Sequence, residues 1–302
     1  MRTAHEISAI LQKLRGLYLD TPRDATFQNH FERLLTRDEV GNLTHVPVRF
    51  TDGRETRGVM VIDGAGGGKA SLVARALKRH PAMAAPEGGL PRYINARVPT
   101  PVTFKSMGTT LLQKSGYDLS ANTTTAWQVW DKLRVRLKNL GVSVLWIDEA
   151  HDFFCADRDL ILRALKALTQ GDDALIIILS GTERLRDIIR TDDQLMRHFT
   201  VQNLPPVDSA TDTDNFLQVI NAYCRLADLD DPVEPDLVPR LFHAGRYRFG
   251  RSIETVIDSI EVALNAGASR LSLDHFADLH FMKEGCSRGE PLRRAGLGSH
   301  RP

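Results

Sequence analysis

The stretch VIDGAGGGKASL, Val61 to Leu72, sets Gly66, Gly67 and Gly68 directly before Lys69. Consecutive glycines let backbone N–H groups turn toward an anion, and a lysine beside them adds a positive charge, so this spacing could cradle phosphates. The apolar run 59–62 precedes it, and KASLVARAL follows with Leu72, Ala76 and Leu77 at helical spacing. That is the strand–turn–helix setting of a Walker A loop, G-x-x-x-x-G-K-[ST]. Two positions depart from the pattern. Asp63, with Gly64 beside it, replaces the first glycine. Aspartate tolerates positive φ better than most residues but brings negative charge toward phosphate. Ala70 stands where a magnesium-binding hydroxyl belongs, and Ser71, about 100° further round the helix, is predicted to point away from the metal. Mg²⁺ keeps several waters and takes few protein ligands, so a water can fill the missing place. The prediction is nucleotide binding with slow hydrolysis; the bland alternative is a glycine turn of purely structural use.

VSVLWIDEAHD argues against the bland alternative. It is a second apolar strand ending in Asp148 and Glu149, about eighty residues after Lys69, as a Walker B motif requires. Asp148 is predicted to hold the hydration shell of Mg²⁺, and Glu149 to polarise the attacking water. DEAH at 148–151 also suggests a helicase, but those enzymes need two tandem cores and only one strand–helix array is present.

The elements that must position these residues follow from periodicity. Strands are predicted at 59–62, 93–98, 142–147, 175–179 and 198–201, with helices near 69–80, 103–116, 124–139, 157–169 and 183–190 between them. Continuous apolar strands with crossover helices predict an α/β fold, a parallel sheet sandwiched by helices. The first sixty residues read as two helices and a connection. After Pro205 and Pro206 only helices remain, at 211–227, 235–244, 250–266 and 273–283. The expected domains are an N-terminal helical extension, 1–57, a nucleotide-binding core, 58–206, a small helical domain, 207–285, and a disordered, mildly basic tail, 286–302. Trp127, Trp130, Leu133, Leu137 and Leu140 share helical spacing and are expected in the core.

Composition sets limits. Hydrophobic residues make up 42% and charged residues 25%, and no apolar run approaches the roughly 20 residues of a membrane span, so a cytoplasmic protein is expected. A net charge of +1 gives no global basic field, which leaves nucleic-acid contact to a local patch. Cys155, Cys224 and Cys286 form no C-x-x-C pair, and the ten histidines contain no H-E-x-x-H, so neither a disulfide framework nor a zinc site is expected.

Walker A, Walker B, a strand ending in LSGTERL, then DDQLMRHF and a helical domain form an order that resembles the P-loop AAA+ superfamily. VLWIDEAHDF, ILSGTERL and QLMRHF narrow the resemblance to the TniB/TnsC group of transposition ATPases, related to MuB, over roughly 26–283. The resemblance implies that Gly64, Gly66, Gly67, Gly68, Lys69, Ala70 and Ser71 line ATP and its Mg²⁺. It implies sensor-1 roles for Ser180 and Thr182, a sensor-2 role for Arg251, and an arginine finger, Arg197, reaching a neighbouring subunit's γ-phosphate. The family's second paired arginine is His198 here. In this family the ATP-bound form assembles as a homo-oligomer, ring or filament, around double-stranded DNA and directs a transposase to its target. Its DNA-facing residues match PTPVTFKSMGTTLL and ANTTTAWQVW, where Lys105, Thr123, Thr124 and Thr125 are the candidates for phosphate contact. Two other readings stay open: a nucleotide-binding scaffold that scarcely hydrolyses ATP, and an AAA+ ATPase acting on protein partners in secretion or defence.

Overall fold

Alternate residues of each central strand face opposite layers, and in this protein both layers are apolar. The computed structural model describes residues 2–18, 20–118 and 124–284. Thr123, Cys286 and the predicted tail lie outside the described residues.

In chain order the elements are α1 (Ala4–Gly16), α2 (Pro22–Glu32), β1 (Leu35–Arg37), β2 (Leu43–Pro47), β3 (Gly58–Ile62), α3 (Lys69–Arg79), β4 (Tyr93–Arg97), α4 (Phe104–Lys114), α5 (Ala126–Leu140), β5 (Val144–Asp148), α6 (Arg158–Leu168), β6 (Ile176–Gly181), α7 (Glu183–Arg190), α8 (Asp193–Met196), β7 (Phe199–Asn203), α9 (Thr213–Leu226), α10 (Leu237–Ala244), α11 (Phe249–Asn265) and α12 (Leu273–Glu284). They divide into two compact units: an α/β unit of Thr21–Gly64 with Lys69–Leu204, and a helical unit of Met1–Asp20, Ala65–Gly68 and the chain from Pro205.

The α/β unit holds a parallel sheet in the order β4-β5-β6-β3-β7. Met60, Ile62, Leu145, Ile147, Ile177 and Leu179 face one layer, packed with Met107, Leu111, Leu133, Leu137, Ile161 and Leu165. Val59, Val61, Val144, Trp146, Ile176 and Ile178 face the other, against Phe27, Phe31, Leu72, Val73 and Leu77. Every residue of β3 and β6 is buried, which is why 59–62 and 176–179 read as apolar runs. Full burial of one such side chain stabilises by about 1.5–3 kcal/mol.

Two expectations need correction. The connection before β3 contains an antiparallel pair, β1 and β2. Its turn is held by Asp38 Oδ1, which accepts the N–H groups of Val40 (3.0 Å) and Asn42 (2.8 Å). This is an Asx-type turn, for which the sequence RDEVGN was the available signal. Trp130 is buried as predicted, but Trp127 is 63% exposed. Standing one residue into α5, it lies edge-on to Phe104 at 4.8 Å and does not enter the core.

In the helical unit, Ile7, Leu11 and Leu14 of α1 share a core with Phe216, Ile220, Tyr223, Phe242, Val256 and Ile260. No helix among the described residues is long and apolar enough to cross a membrane. Cys155 and Cys224 are free, and burial pushes the Cys224 thiol up to about 12, helped by Asp231.

Candidate nucleotide site

Parallel pairing brings the C-terminal ends of β5, β6 and β3 side by side. Val61 stands opposite Ser180 and Ile62 opposite Gly181, while Ile147 stands opposite Leu179. The Asp63 N–H continues the ladder to the Gly181 carbonyl at 3.1 Å. These strand ends carry Asp148 and Ser180, and the segments that leave them carry Glu149, Thr182 and Lys69. Ligands of open parallel sheets sit at strand ends of this kind.

Asp148 and Ser180 are brought into direct contact. The Ser180 hydroxyl donates to Asp148 Oδ1 at 2.5 Å and itself accepts from the Trp146 indole N–H at 2.9 Å. Ser180 has one hydrogen to give and the indole occupies a lone pair, so the hydroxyl is aimed at the carboxylate. Trp146 was absent from the sequence-predicted set because an indole in an apolar strand reads as core. The available signal was alternation: Trp146 and Asp148 are two apart on one strand and so share a face with Ser180. Thr182, half-buried, begins α7 as its N-cap residue without a side-chain cap bond.

Glu149 follows in the left-handed region, φ 55° and ψ 34°. A non-glycine residue there costs about 1–2 kcal/mol and marks an imposed conformation. Its carboxylate lies 3.3 Å from His151 Nε2 and 3.9 Å from Arg97, two neighbours that the sequence reading did not name. Arg97 comes from the neighbouring strand end, where it pairs with Asp148 in register, and His151 from the short turn that follows Glu149.

Lys69 opens α3 and is buried, with 7% of its surface exposed. Its ammonium donates to the carbonyls of Asp63 (3.0 Å) and Gly64 (2.8 Å). Asp63 is itself buried, and its Oδ1 accepts the Gly64 N–H at 2.6 Å. The left-handed conformations of the loop fall on Gly66 (φ 77°) and Gly68 (φ 92°), whereas Asp63 does not adopt one. Aspartate therefore substitutes for glycine at a position that makes no demand on φ. Ala70 and Ser71 are exposed.

Within the helical unit the loop tip meets the first turn of α11. The Arg251 N–H donates to the Gly66 carbonyl at 2.8 Å. A Cβ on Gly250 would stand 2.7 Å from that carbonyl and 3.0 Å from the Gly68 nitrogen, so only glycine fits. Gly250 is a further residue that the sequence reading missed; a glycine inside a helical pattern, in FGRS, was its signal.

Arg197 is remote from Lys69. It closes α8 immediately before β7, at the end of the sheet where β3 begins, and Lys69 lies beyond the end where β3 finishes. Five strand residues, about 13 Å, lie between those ends. Its guanidinium, 59% exposed on the side chain, reaches both Glu55 oxygens at 3.3 and 3.4 Å. His198 is buried and lies 3.8 Å from the same carboxylate.

Lys105 and Thr125 stand at the same end of a helix pair, joined there by Phe104 and the Trp127 and Trp130 rings. Phe104 and Lys105 begin α4, and Phe104 stacks on Trp130 at 5.3 Å while its carbonyl accepts the Trp130 indole N–H at 2.9 Å. Thr125 caps α5 by accepting from the Gln128 N–H. Both residues are exposed. Thr124 is half-buried beside them.

A family model described as Bacterial TniB protein matches residues 37–209. Among solved structures, the chain is similar to the Aeropyrum pernix ORC1 protein in complex with DNA. The TM-score is 0.66 at 15% identity, over 90% of this chain and 68% of that one. It is also similar to the Aeropyrum pernix ORC2 protein in its ADPNP-ADP complexes, with a TM-score of 0.56 at 17% identity, over 76% of this chain and 62% of that one. At these identities the likeness is one of fold, and the fold is the expected α/β one, a parallel sheet sandwiched by helices and followed by a helical domain. No curated protein matches the chain.

Proposed function

This chain belongs to the TniB family, and on that premise we propose that it is an ATP-dependent, DNA-binding oligomer that licenses target DNA for a transposase, with slow hydrolysis as its timer. The observation that carries the reading is the Trp146–Ser180–Asp148 hydrogen-bond chain at the strand end beside β3, which feeds the Lys69 loop. It fixes a carboxylate at the strand end, which supports a triphosphate's metal being held there.

The residues suit Mg²⁺-ATP. Left-handed glycines at 66 and 68 turn backbone N–H groups into an anion-binding concavity, and Asp148 is the kind of oxygen donor that Mg²⁺ takes, directly or through water. The metal would neutralise charge on the phosphates. Lys69 now satisfies two of its three N–H donors with the carbonyls of its own loop, and it exchanges them for phosphate oxygens when nucleotide enters. Glu149 orients the attacking water and draws on its proton, with Arg97 and His151 steadying the carboxylate between turnovers. Arg197 lies a strand's length from Lys69, so it serves a nucleotide held by another copy. Thus the site is completed only by assembly.

DNA contact falls to Lys105, Thr124 and Thr125, with Thr123 beside them in sequence. The first turns of α4 and α5 add the partial positive charge of two helix N-termini at one place. Solved structures of the same fold with DNA and with nucleotide support this reading. Electron microscopy with ATP and duplex DNA tests it: ATP-dependent assemblies on DNA are expected, and monomers under those conditions reject it.

Ala70 favours a second reading, a scaffold that binds ATP and scarcely hydrolyses it. Single-turnover measurements separate the two.

A further inference from the structure

On the reading above, the chain offers a neighbour's nucleotide a finger, Arg197, whose sequence partner cannot help. His198 is 3% exposed, its Nδ1 faces the Thr56 carbonyl at 3.3 Å, and its Nε2 is turned toward Glu55. It can neither reach out nor bring a permanent charge. We propose that Arg57, from the segment that leads into β3, is the second cation with which this chain meets the terminal phosphate of a nucleotide held by a second copy.

Three observations carry the assignment. First, the backbone places it. Thr56 and Gly58 both lean on His198, through the Nδ1 contact and through the Gly58 N–H, which donates to the His198 carbonyl at 2.8 Å. Arg57 is therefore fixed beside Arg197–His198 by residues on either side of it. Second, Arg57 and Arg197 line one cavity of about 100 Å³ with Phe50, Glu55 and His198.

Third, charge requires it. Glu55, 13% exposed, sits under Arg197 and cancels its charge, so the pair presents no net attraction to phosphate. Arg57 is exposed, rests 4.2 Å over the Phe50 ring and has no ion pair among the described residues. The cavity's net positive charge is Arg57's. An exposed cation on a ring face is held only weakly, so it swings to an anion at small cost. Glu55 in turn holds Arg197 in place for the encounter.

The test uses the full chain with ATP, Mg²⁺ and duplex DNA. Arg57→Ala should lower turnover at least about tenfold, as loss of a trans-acting cation does, while fluorescent-nucleotide binding by the dilute monomer changes less than about twofold. Arg57→Gln, which keeps the stem on Phe50, should behave alike and guards against a folding defect. Mixing decides whether Arg57 acts in trans. Glu149→Gln protomers retain their Arg57, so adding them to Arg57→Ala protomers should restore turnover that neither variant shows alone. Full turnover by Arg57→Ala, or no rescue on mixing, overturns the proposal. A wild-type chain that fails to assemble with ATP overturns the parent reading as well, and is seen before any variant is made.

Discussion

Ser180 gives its only hydroxyl hydrogen to Asp148, 2.5 Å away, and it can do so because the Trp146 indole N–H fills one of its lone pairs at 2.9 Å. A hydrogen bond to a charged group contributes about 1.5–3 kcal/mol, and an unmet buried donor costs about 1–3. Ser180→Ala should therefore raise the Mg²⁺ concentration needed for half-maximal ATP turnover by about tenfold. Trp146→Phe should raise it only a few-fold, since the ring face remains while the donor is lost. Magnesium titrations of turnover measure both. Equal midpoints for wild type and Ser180→Ala would remove the chain of three from the account of the site.

Gly250 bears on the same chemistry through the loop tip. An added methyl would meet backbone atoms of Gly66 and Gly68 that cannot swing aside as a side chain can. Gly250→Ala should weaken ATP binding about tenfold by calorimetry while the far-ultraviolet circular dichroism stays unchanged. Alanine in a helix is otherwise favourable by roughly 1 kcal/mol over glycine, so a variant that binds ATP as wild type does and melts higher contradicts the close approach.

The strands and the two motifs were legible because burial on both faces writes itself as apolar runs, and because phosphate chemistry needs glycines and a lysine together. What was not legible has a common cause. Trp146, Gly250 and Glu55 act through contacts whose partners lie 34, 184 and 142 positions away, to Ser180, Gly66 and Arg197. Nothing local distinguishes such residues from core, helix interior or surface. Trp127 erred the other way: its spacing with Trp130 fits a buried stripe, yet the first turn of α5 overhangs Phe104 and not the sheet. Asp63 looked like a defect in the loop, yet its backbone is not one, because φ at that position is ordinary and its side chain bonds the next N–H.

Ala70 has a direct consequence. It opens no hydroxyl to the metal and its side chain is exposed, so a larger residue meets no buried neighbour there. Ala70→Thr should raise steady-state turnover several-fold with little change in nucleotide affinity. Turnover that does not move shows that the rate of hydrolysis is set elsewhere.

The helix-end pair at Lys105 and Thr125 predicts salt-dependent DNA binding. Each phosphate contact contributes about 0.9 to the slope of log K against log salt. Lys105→Ala should flatten that slope by about 1 and weaken binding alike on unrelated sequences, by mobility shift in the presence of ATP. Thr125 is the poorer target, because losing its cap costs about 1 kcal/mol of helix stability on its own. A slope unchanged by Lys105→Ala moves the DNA to another face.

Glu149 is held in the left-handed region with Arg97 and His151 at its carboxylate, so its position is imposed by the strand end and not by its own preference. Glutamine has the same length and can keep that backbone, but it carries no charge and takes no proton from water. Glu149→Gln should accordingly bind ATP as tightly as wild type and turn it over at least about a hundredfold more slowly, the loss expected when a general base is removed. With the timer stopped, assemblies formed on DNA should persist for as long as ATP is bound. Light scattering after dilution reads this directly: wild-type signal decays as nucleotide is consumed, and the variant's does not. Decay at the same rate in both would mean that disassembly is governed by dissociation of the subunits, with hydrolysis having no part in it.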